Sequence, residues 1–326
     1  FVVVNNYRQN DYAPYLFHTK NYGKKWERVI DQSDVPSYVL SFAQDPDEPR
    51  LQFLGTETGL YVSIDGGEEW TKWTVAYPTV STMDLVIHPR ELDLVIGTFG
   101  RSAFILDDIR PLRALAADYE TVTSESIFPV EIPEAYLASY KNAPGYYFTG
   151  DAYYEGENRS SGARINYFVN LDETETESKN DSVKIEILDA EKKLVRTLKQ
   201  LPENGLNRSI WYLDRKGARV SFNAESPAKR KSEPGGGGAV LPGSYMVRFS
   251  FKGDTAYSAI EVKPDPRRPY DLAGMKAKQE KADLLLAKME ELNSSLERIR
   301  KCRKGFDLVN KLADKEQAEN LKAVTG

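Results

Sequence analysis

Cysteine occurs once in this 326-residue sequence, at Cys302, and histidine only at His18 and His88. A single thiol excludes an intrachain disulfide framework. So few sulfur and imidazole groups also exclude the usual zinc ligand sets, and neither a metal site nor a cofactor is expected. No apolar run approaches the roughly 18–20 residues that cross a bilayer, which argues against direct membrane insertion. Basic residues are not in excess, with 44 Lys and Arg against 49 Asp and Glu, so there is no electrostatic footprint for nucleic acid. The P-loop and the GxSxG nucleophile elbow are missing too, and no catalytic residue is assigned by motif.

Apolar and aromatic residues make up 40% and 11% of the chain, enough for packed cores and against broad disorder. The length allows two or three domains. The sequence opens on a hydrophobic strand, FVVVNNY, with no Met and no signal peptide. The expectation is a segment of a longer chain whose targeting sequence lies upstream.

Internal repetition is the strongest signal. TKNYGKKW (Thr19–Trp26) recurs as SIDGGEEW (Ser63–Trp70), with the two tryptophans 44 residues apart. LQFLGTETGLYVSID (Leu51–Asp65) recurs as LDLVIGTFGRSAFILDD (Leu92–Asp108), with Gly55 and Gly97 separated by 42 residues. A polar, proline-bearing turn precedes each, DPDEPR (Asp45–Arg50) and HPRELD (His88–Asp93). Short alternating strands at this period predict one four-stranded propeller blade per repeat.

On these residues the chain resembles a known group. Ser63, Asp65, Gly67 and Trp70 match the Ser-x-Asp-x-Gly-x-x-Trp Asp box of BNR-repeat proteins, which include sialidases, xyloglucanases and sortilin-like propellers. Thr19, Asn21, Gly23 and Trp26 form a relaxed copy. GTFGRSAFILDDIRPL (Gly97–Leu112) is similar to the final blade of large bacterial sortilin-like BNR proteins, many of which carry the label glycosyl hydrolase. The resemblance implies an exported protein: periplasmic, associated with the outer membrane, or secreted.

Physical chemistry assigns Asp65 a structural task. A short carboxylate at a hairpin tip accepts hydrogen bonds from nearby backbone N–H groups, glycine supplies positive φ, and the tryptophan packs over the turn. Asn21 keeps that geometry without the charge, a swap that catalysis would not tolerate. Function is expected at the other end of the blades. If strands are labelled A to D from the centre outward, Asp boxes are C–D turns, and the B–C turns and D–A connections share the opposite face. Those segments are 32–36, 55–59, 73–79 and 97–101. They offer Asp34, Glu57, Tyr77, Phe99 and Arg101 as binding candidates, with Asp84 on an inner strand facing the central channel. An arginine beside aromatic rings can hold a carboxylate or a sugar.

Residues 1–112 are thus read as about two and a half blades. Residues 113–162, rich in Pro, Tyr and Ala, are read as an extended connector that also supplies an edge strand. Residues 163–264 carry short strands at the spacing of an Ig-like β-sandwich. Val183, Ile185 and Ile187 share one face, and Trp211 and Tyr245 are core aromatics. DAEKKLVRTL, NGLNRSIWYLD and LPGSYMVRF resemble the Ig-like domain of flagellar hook-capping proteins. Gly235–Gly238 is read as a flexible insertion, and the acidic run Asp172–Asp181 as a solvated hairpin tip. In 265–326, Leu285, Met289, Leu292, Leu296 and Ile299 are spaced 4-3-4-3, a coiled-coil-like seam. Gly305 is expected to break this helix, with a second helix containing Leu308, Leu312 and Leu321 folding back into a hairpin, and self-association through these helices is one consequence.

The fold class is mainly β: partial propeller, sandwich, then helical hairpin. The functional expectation is a non-catalytic binding or assembly protein of the exported type, with a protein or glycan ligand. The alternatives are a glycoside hydrolase acting on a polysaccharide and a sortilin-like peptide receptor. Sortilins carry a cysteine-rich module after the propeller, and this chain does not.

Overall fold

The computed structural model describes residues 1–138, 160–171, 181–218 and 234–312. Three antiparallel sheets follow one another at the start. The first is β1 (Val2–Asn6), β2 (Asp11–His18) and β3 (Glu27–Arg28). The second is β4 (Val39–Gln44), β5 (Gln52–Thr56), β6 (Gly59–Ser63) and β7 (Thr71–Trp73). The third is β8 (Thr82–Ile87), β9 (Leu94–Thr98) and β10 (Ala103–Leu106). Within each sheet the strands pair in chain order. By the repeat, the first sheet holds strands B, C and D, the second A to D, and the third A, B and C.

Both faces of the second sheet are covered, which is why β5 and β6 are apolar or small at nearly every position rather than alternating. On one side Phe53, Leu60 and Val62 pack with Leu85, Leu94 and Ile96 of the third sheet. On the other, Leu54 and Tyr61 pack with Leu16 of the first. Burying each such side chain contributes roughly 1.5–3 kcal/mol.

The connector is not extended at its start. Residues 110–124 form two short helices, α1 (Arg110–Ala117) and α2 (Tyr119–Ser124). Pro111 sits in the first turn of α1, where its missing N–H costs nothing, and RALAA is made of strong helix formers. Asp118 caps α2 by accepting from the Thr121 N–H at 3.1 Å. Arg113 fixes α1 to the second sheet by pairing with the buried Asp45 carboxylate at 2.8 Å. The expected edge strand is present as β11 (Ile127–Pro129), and a second follows as β12 (Ala135–Leu137). Residues 139–159 lie outside the described part.

A sandwich follows. Its strands are β13 (Ala163–Val169), β14 (Val183–Leu188), β15 (Leu194–Gln200), β16 (Gly205–Trp211), β17 (Asp214–Lys216), β18 (Gly236–Ala239), β19 (Gly243–Phe251) and β20 (Asp254–Pro264). One sheet has the order β11-β13-β16, the other β12-β20-β19-β14-β15, and β17 pairs with β18. Ile165, Tyr167, Val183, Ile185, Ile187, Trp211 and Phe249 fill the space between them, all buried. Most of the supposed glycine insertion is strand β18. Glycine keeps its N–H and C=O for pairing and brings no side chain to clash, so β17 approaches closely. The acidic run lies outside the described residues except for Asp181.

Asp108 joins the sheets to the sandwich. Its buried carboxylate pairs with Arg110 Nη1 at 2.7 Å and accepts from Asn166 Nδ2 at 2.9 Å. Asn166 Oδ1 in turn accepts from Arg208 Nε at 2.8 Å.

The C-terminal helix, α3 (Leu272–Leu312), runs unbroken through Gly305, so the expected break there is corrected. A single glycine costs a helix about 1 kcal/mol, and neither a capping contact nor a proline follows to enforce a stop. Residues 313–326, with Leu321 of the supposed return helix, are outside the described part. Asp283 ties α3 to the sandwich by an ion pair with Arg215 at 2.5 Å. Leu285, Leu292 and Ile299 of the seam are exposed.

Candidate functional site

The two ends of the sheet array differ in chemistry. At one end, Ser63 Oγ donates to Asp65 Oδ1 at 2.7 Å and accepts from the Gly67 N–H at 2.8 Å. Asp65 Oδ1 accepts from the Glu68 N–H at 3.0 Å, and Oδ2 from the Glu69 N–H at 3.0 Å. Gly67 has φ +97° and carries the ring of Trp70 against it. The copy repeats this pattern: Gly23 N–H donates to Thr19 Oγ1 at 2.9 Å, and Lys25 N–H to Asn21 Oδ1 at 2.8 Å. Trp26 lies over Gly23. Burial alone would raise the Asp65 pKa, but the Ser63 hydroxyl and three backbone N–H groups outweigh it and hold the carboxyl below its usual value. Its contribution to stability is therefore present above the unfolded-state pKa and lost as pH falls through the lower folded-state pKa. Asp65→Ala should cost about 1–2 kcal/mol and Asp65→Asn less, because Asn21 already holds such a turn. Thermal melts of both variants at neutral pH check the order.

The predicted binding residues occupy the opposite end and the inner strand, and the structure divides them. Asp34 is a turn residue whose Oδ2 accepts from the Asp31 N–H at 2.8 Å. Asp84 is exposed on β8, and its Oδ1 accepts from the Leu85 N–H at 2.9 Å. Tyr77 is not a surface ligand group: it is buried, shares a 2.7 Å hydrogen bond with Thr82 Oγ1 and meets Phe104 edge-on at 5.1 Å. Tyr77 and Val80 turn inward there, because the connection from β7 to β8 closes the core between the two sheets, while Val75 stays exposed. Phe99 is 76% exposed, and Arg101 is exposed at the tip of the β9–β10 turn.

Glu57 is where the three sheets meet. The β4–β5 register pairs Val39 with Thr56, which sets Tyr38 and Glu57 opposite each other one step beyond. Tyr38 OH donates to Glu57 Oε2 at 2.8 Å, and Ser81 Oγ of the third sheet donates to the same oxygen at 2.7 Å. The Tyr38 ring stacks on Tyr7 at 5.1 Å, and Tyr12 lies tilted against it at 6.1 Å. The Phe99 N–H donates to Ser81 O at 2.9 Å, which places the Phe99 backbone next to this cluster. Glu57 Oε1 receives no hydrogen bond from the described residues and faces solvent.

Tyr7, Tyr12, Tyr38 and Ser81 escaped sequence reasoning. A signal was present. Tyr38 and Ser81 each precede an inner strand, 43 residues apart, and Glu57 and Phe99 each follow a B strand, 42 apart. Burial, together with the hydrogen bond and charge of Glu57, pushes the Tyr38 phenol up to about 12. Folding thus favours the protonated phenol; that stability is intact below the ordinary tyrosine pKa of 10.0 and is lost as pH rises through about 12. A difference titration of the wild type against Tyr38→Phe should show this group, and Glu57→Gln should lower its pKa only partway, since burial persists.

Among the described residues no group of three His, Cys, Asp or Glu side chains is placed to hold a metal ion, and no helix is long and apolar enough to cross a membrane. No protein-family model matches the sequence, and no curated protein matches it. Among solved structures, one similar chain is the extracellular domain of a one-component system from B. thetaiotaomicron. It is 12% identical, with a TM-score of 0.23, over 76% of this chain and 28% of that one. The chain therefore spans under a third of that protein, and a TM-score so low transfers neither fold nor function.

Proposed function

We propose that the chain is a non-catalytic binding or assembly module of an exported, BNR-repeat-type protein, and that its protein or glycan ligand lies on the surface around Glu57. One observation carries this reading. Two hydroxyl groups hold Glu57 by Oε2 and leave Oε1 open, and one of them, Ser81, is bonded through its backbone to Phe99, whose ring is exposed. An oriented acceptor next to an aromatic face is the pairing that grips a hydroxyl- or ammonium-bearing group with an apolar side. Hydrolysis of a glycoside asks for more, namely two carboxylates about 5 Å or about 6.5–9.5 Å apart across the scissile bond. Asp34 and Asp84 each spend an oxygen on a neighbouring backbone N–H instead.

The test is incubation of the intact chain with a broad panel of glycans and peptides, reading retention and product separately. Retention without any new reducing end or cleaved peptide is expected. A product whose formation disappears in Glu57→Gln would overturn the non-catalytic reading and install the hydrolase in its place.

A further inference from the structure

The polar groups gathered at Glu57 share one property: turned outward, they only accept. A carboxylate has no hydrogen to give, and each of its oxygens offers about two acceptor sites. Both sites on Oε2 are filled, by the Tyr38 hydroxyl at 2.8 Å and the Ser81 hydroxyl at 2.7 Å. Each hydroxyl has thereby committed its only hydrogen, and what it still presents is lone pairs. The Tyr38 phenol, pushed up to about 12, keeps its proton at neutral pH, so the arrangement holds there. Oε1 stays open.

The rings add to the same sign. Tyr38 is the middle ring of three, stacked on Tyr7 at 5.1 Å and tilted against Tyr12 at 6.1 Å. Tyr12 stands on the same face of β2 as Leu16, the face that packs on the second sheet. The three rings and Glu57 therefore line one seam between the first two sheets. Aromatic faces attract cations, and one cation is already drawn in, the Arg8 guanidinium 5.8 Å from the centre of the Tyr7 ring. Among the described residues no Lys or Arg pairs with Glu57 itself.

A surface that only accepts selects a group that only donates. A sugar hydroxyl must also find a donor for its own oxygen, and neither Tyr38 nor Ser81 has one left. A guanidinium grips best when its fork meets two carboxylate oxygens, and here one of the two is filled. An ammonium is a compact cation with three donors and no acceptor. It fits a single open oxygen beside lone pairs and ring faces.

We propose, resting on the placement of the ligand at Glu57, that this seam receives a primary ammonium group of a protein partner, either a lysine side chain or an amino terminus. Glu57 Oε1 takes the head, and the Tyr12 and Tyr38 rings carry the carbon stem beside it. Lysine suits the seam because its four-carbon stem lies on an apolar ring while the charged end stays at the acceptor.

Fluorescence anisotropy of the intact chain with labelled Gly-Ser peptides tests this. One peptide carries lysines and a blocked amino terminus, a second the same lysines acetylated, a third arginines in their place, and a fourth only a free amino terminus. Binding of the first or the fourth is expected and tells which ammonium is read; acetylation should abolish it. Glu57→Gln should weaken that binding about tenfold or more, through loss of a charge-assisted bond. Tyr12→Ala should weaken it about threefold and Tyr12→Phe should restore it, because the ring face is what counts. Glu68→Gln removes the same charge at an exposed position of the other end and should change nothing. An equal loss in Glu68→Gln would overturn the proposal, leaving only the general attraction of cations to a chain of net charge −5. Equal binding of the acetylated peptide, or tighter binding of the arginine peptide, would also overturn it. Neutral oligosaccharides held by the wild type and released by Glu57→Gln, with no lysine binding, would refute the ammonium and leave the ligand site at Glu57 standing. If binding of no probe responds to Glu57→Gln, the site falls with it.

Discussion

Replacing Trp211 by alanine is expected to destabilise the sandwich by about 3–5 kcal/mol, the range for removing a large aromatic side chain from a packed core. The indole is fully buried between the two sheets. It meets Tyr245 edge-on at 5.4 Å and donates from Nε1 to Asp214 O at 2.8 Å. Truncation removes the packing and leaves the half-buried Asp214 carbonyl without its donor. It also loosens Tyr245, whose hydroxyl is anchored to Leu241 O at 2.6 Å. Denaturant unfolding followed by near-ultraviolet circular dichroism measures the loss. Trp211→Phe should recover most of the packing but not the hydrogen bond. A cost under about 1 kcal/mol for Trp211→Ala would mean that the indole is not the centre of this core.

Asp108→Ala should be comparably severe, at about 3–5 kcal/mol, for an electrostatic reason. Removing one partner of a buried ion pair strands the other in a low-dielectric interior. Here the groups that lose their shortest partner are the buried Arg110 guanidinium, whose remaining ion pair is with Glu131 at 3.6 Å, and the buried Asn166 amide N–H. Asp108 also has φ +59°, a conformation that aspartate tolerates better than alanine. Because these bonds link the sheet array to the sandwich, Asp108→Ala should split the thermal transition in two, while Trp211→Ala lowers the sandwich transition itself. Scanning calorimetry of both variants separates the effects. A single, unshifted transition in Asp108→Ala would show that the junction contributes nothing to coupling.

The sheets were legible because their signals are local. The Asp-box turn and the Gly-Thr pair within each copy of the repeat, and the alternation in Val183, Ile185 and Ile187, each depend on neighbours a few residues away. The helices at 110–124 were less legible. RPLRALAA is a short helical run next to Tyr- and Pro-rich sequence, and it is held by Arg113 reaching Asp45, a contact 68 residues distant. Gly305 misled for the opposite reason. Glycine often ends helices, but with good helix formers on either side and no capping partner its cost is too small to stop one. At the Glu57 end, the sequence placed the candidates on turns but could not tell inward from outward. Tyr77 and Phe99 are both aromatic residues next to turns, and only the packing of the β7–β8 connection buries the first and exposes the second. The hydroxyl of Ser81 carries no distinguishing pattern until the third sheet is laid against the second.

The central claim is that ligand binding belongs to the Glu57 end of the array and not to the Ser63–Trp70 end. The measurement that tests it most directly is retention of three chains on the same ligand array: wild type, Phe99→Ala and Asp65→Asn. Loss of the Phe99 face should weaken binding about tenfold, equivalent to about 1.4 kcal/mol, while Asp65→Asn should bind as the wild type does. Full retention by Phe99→Ala together with loss in Asp65→Asn would contradict the account and move the ligand to the other end.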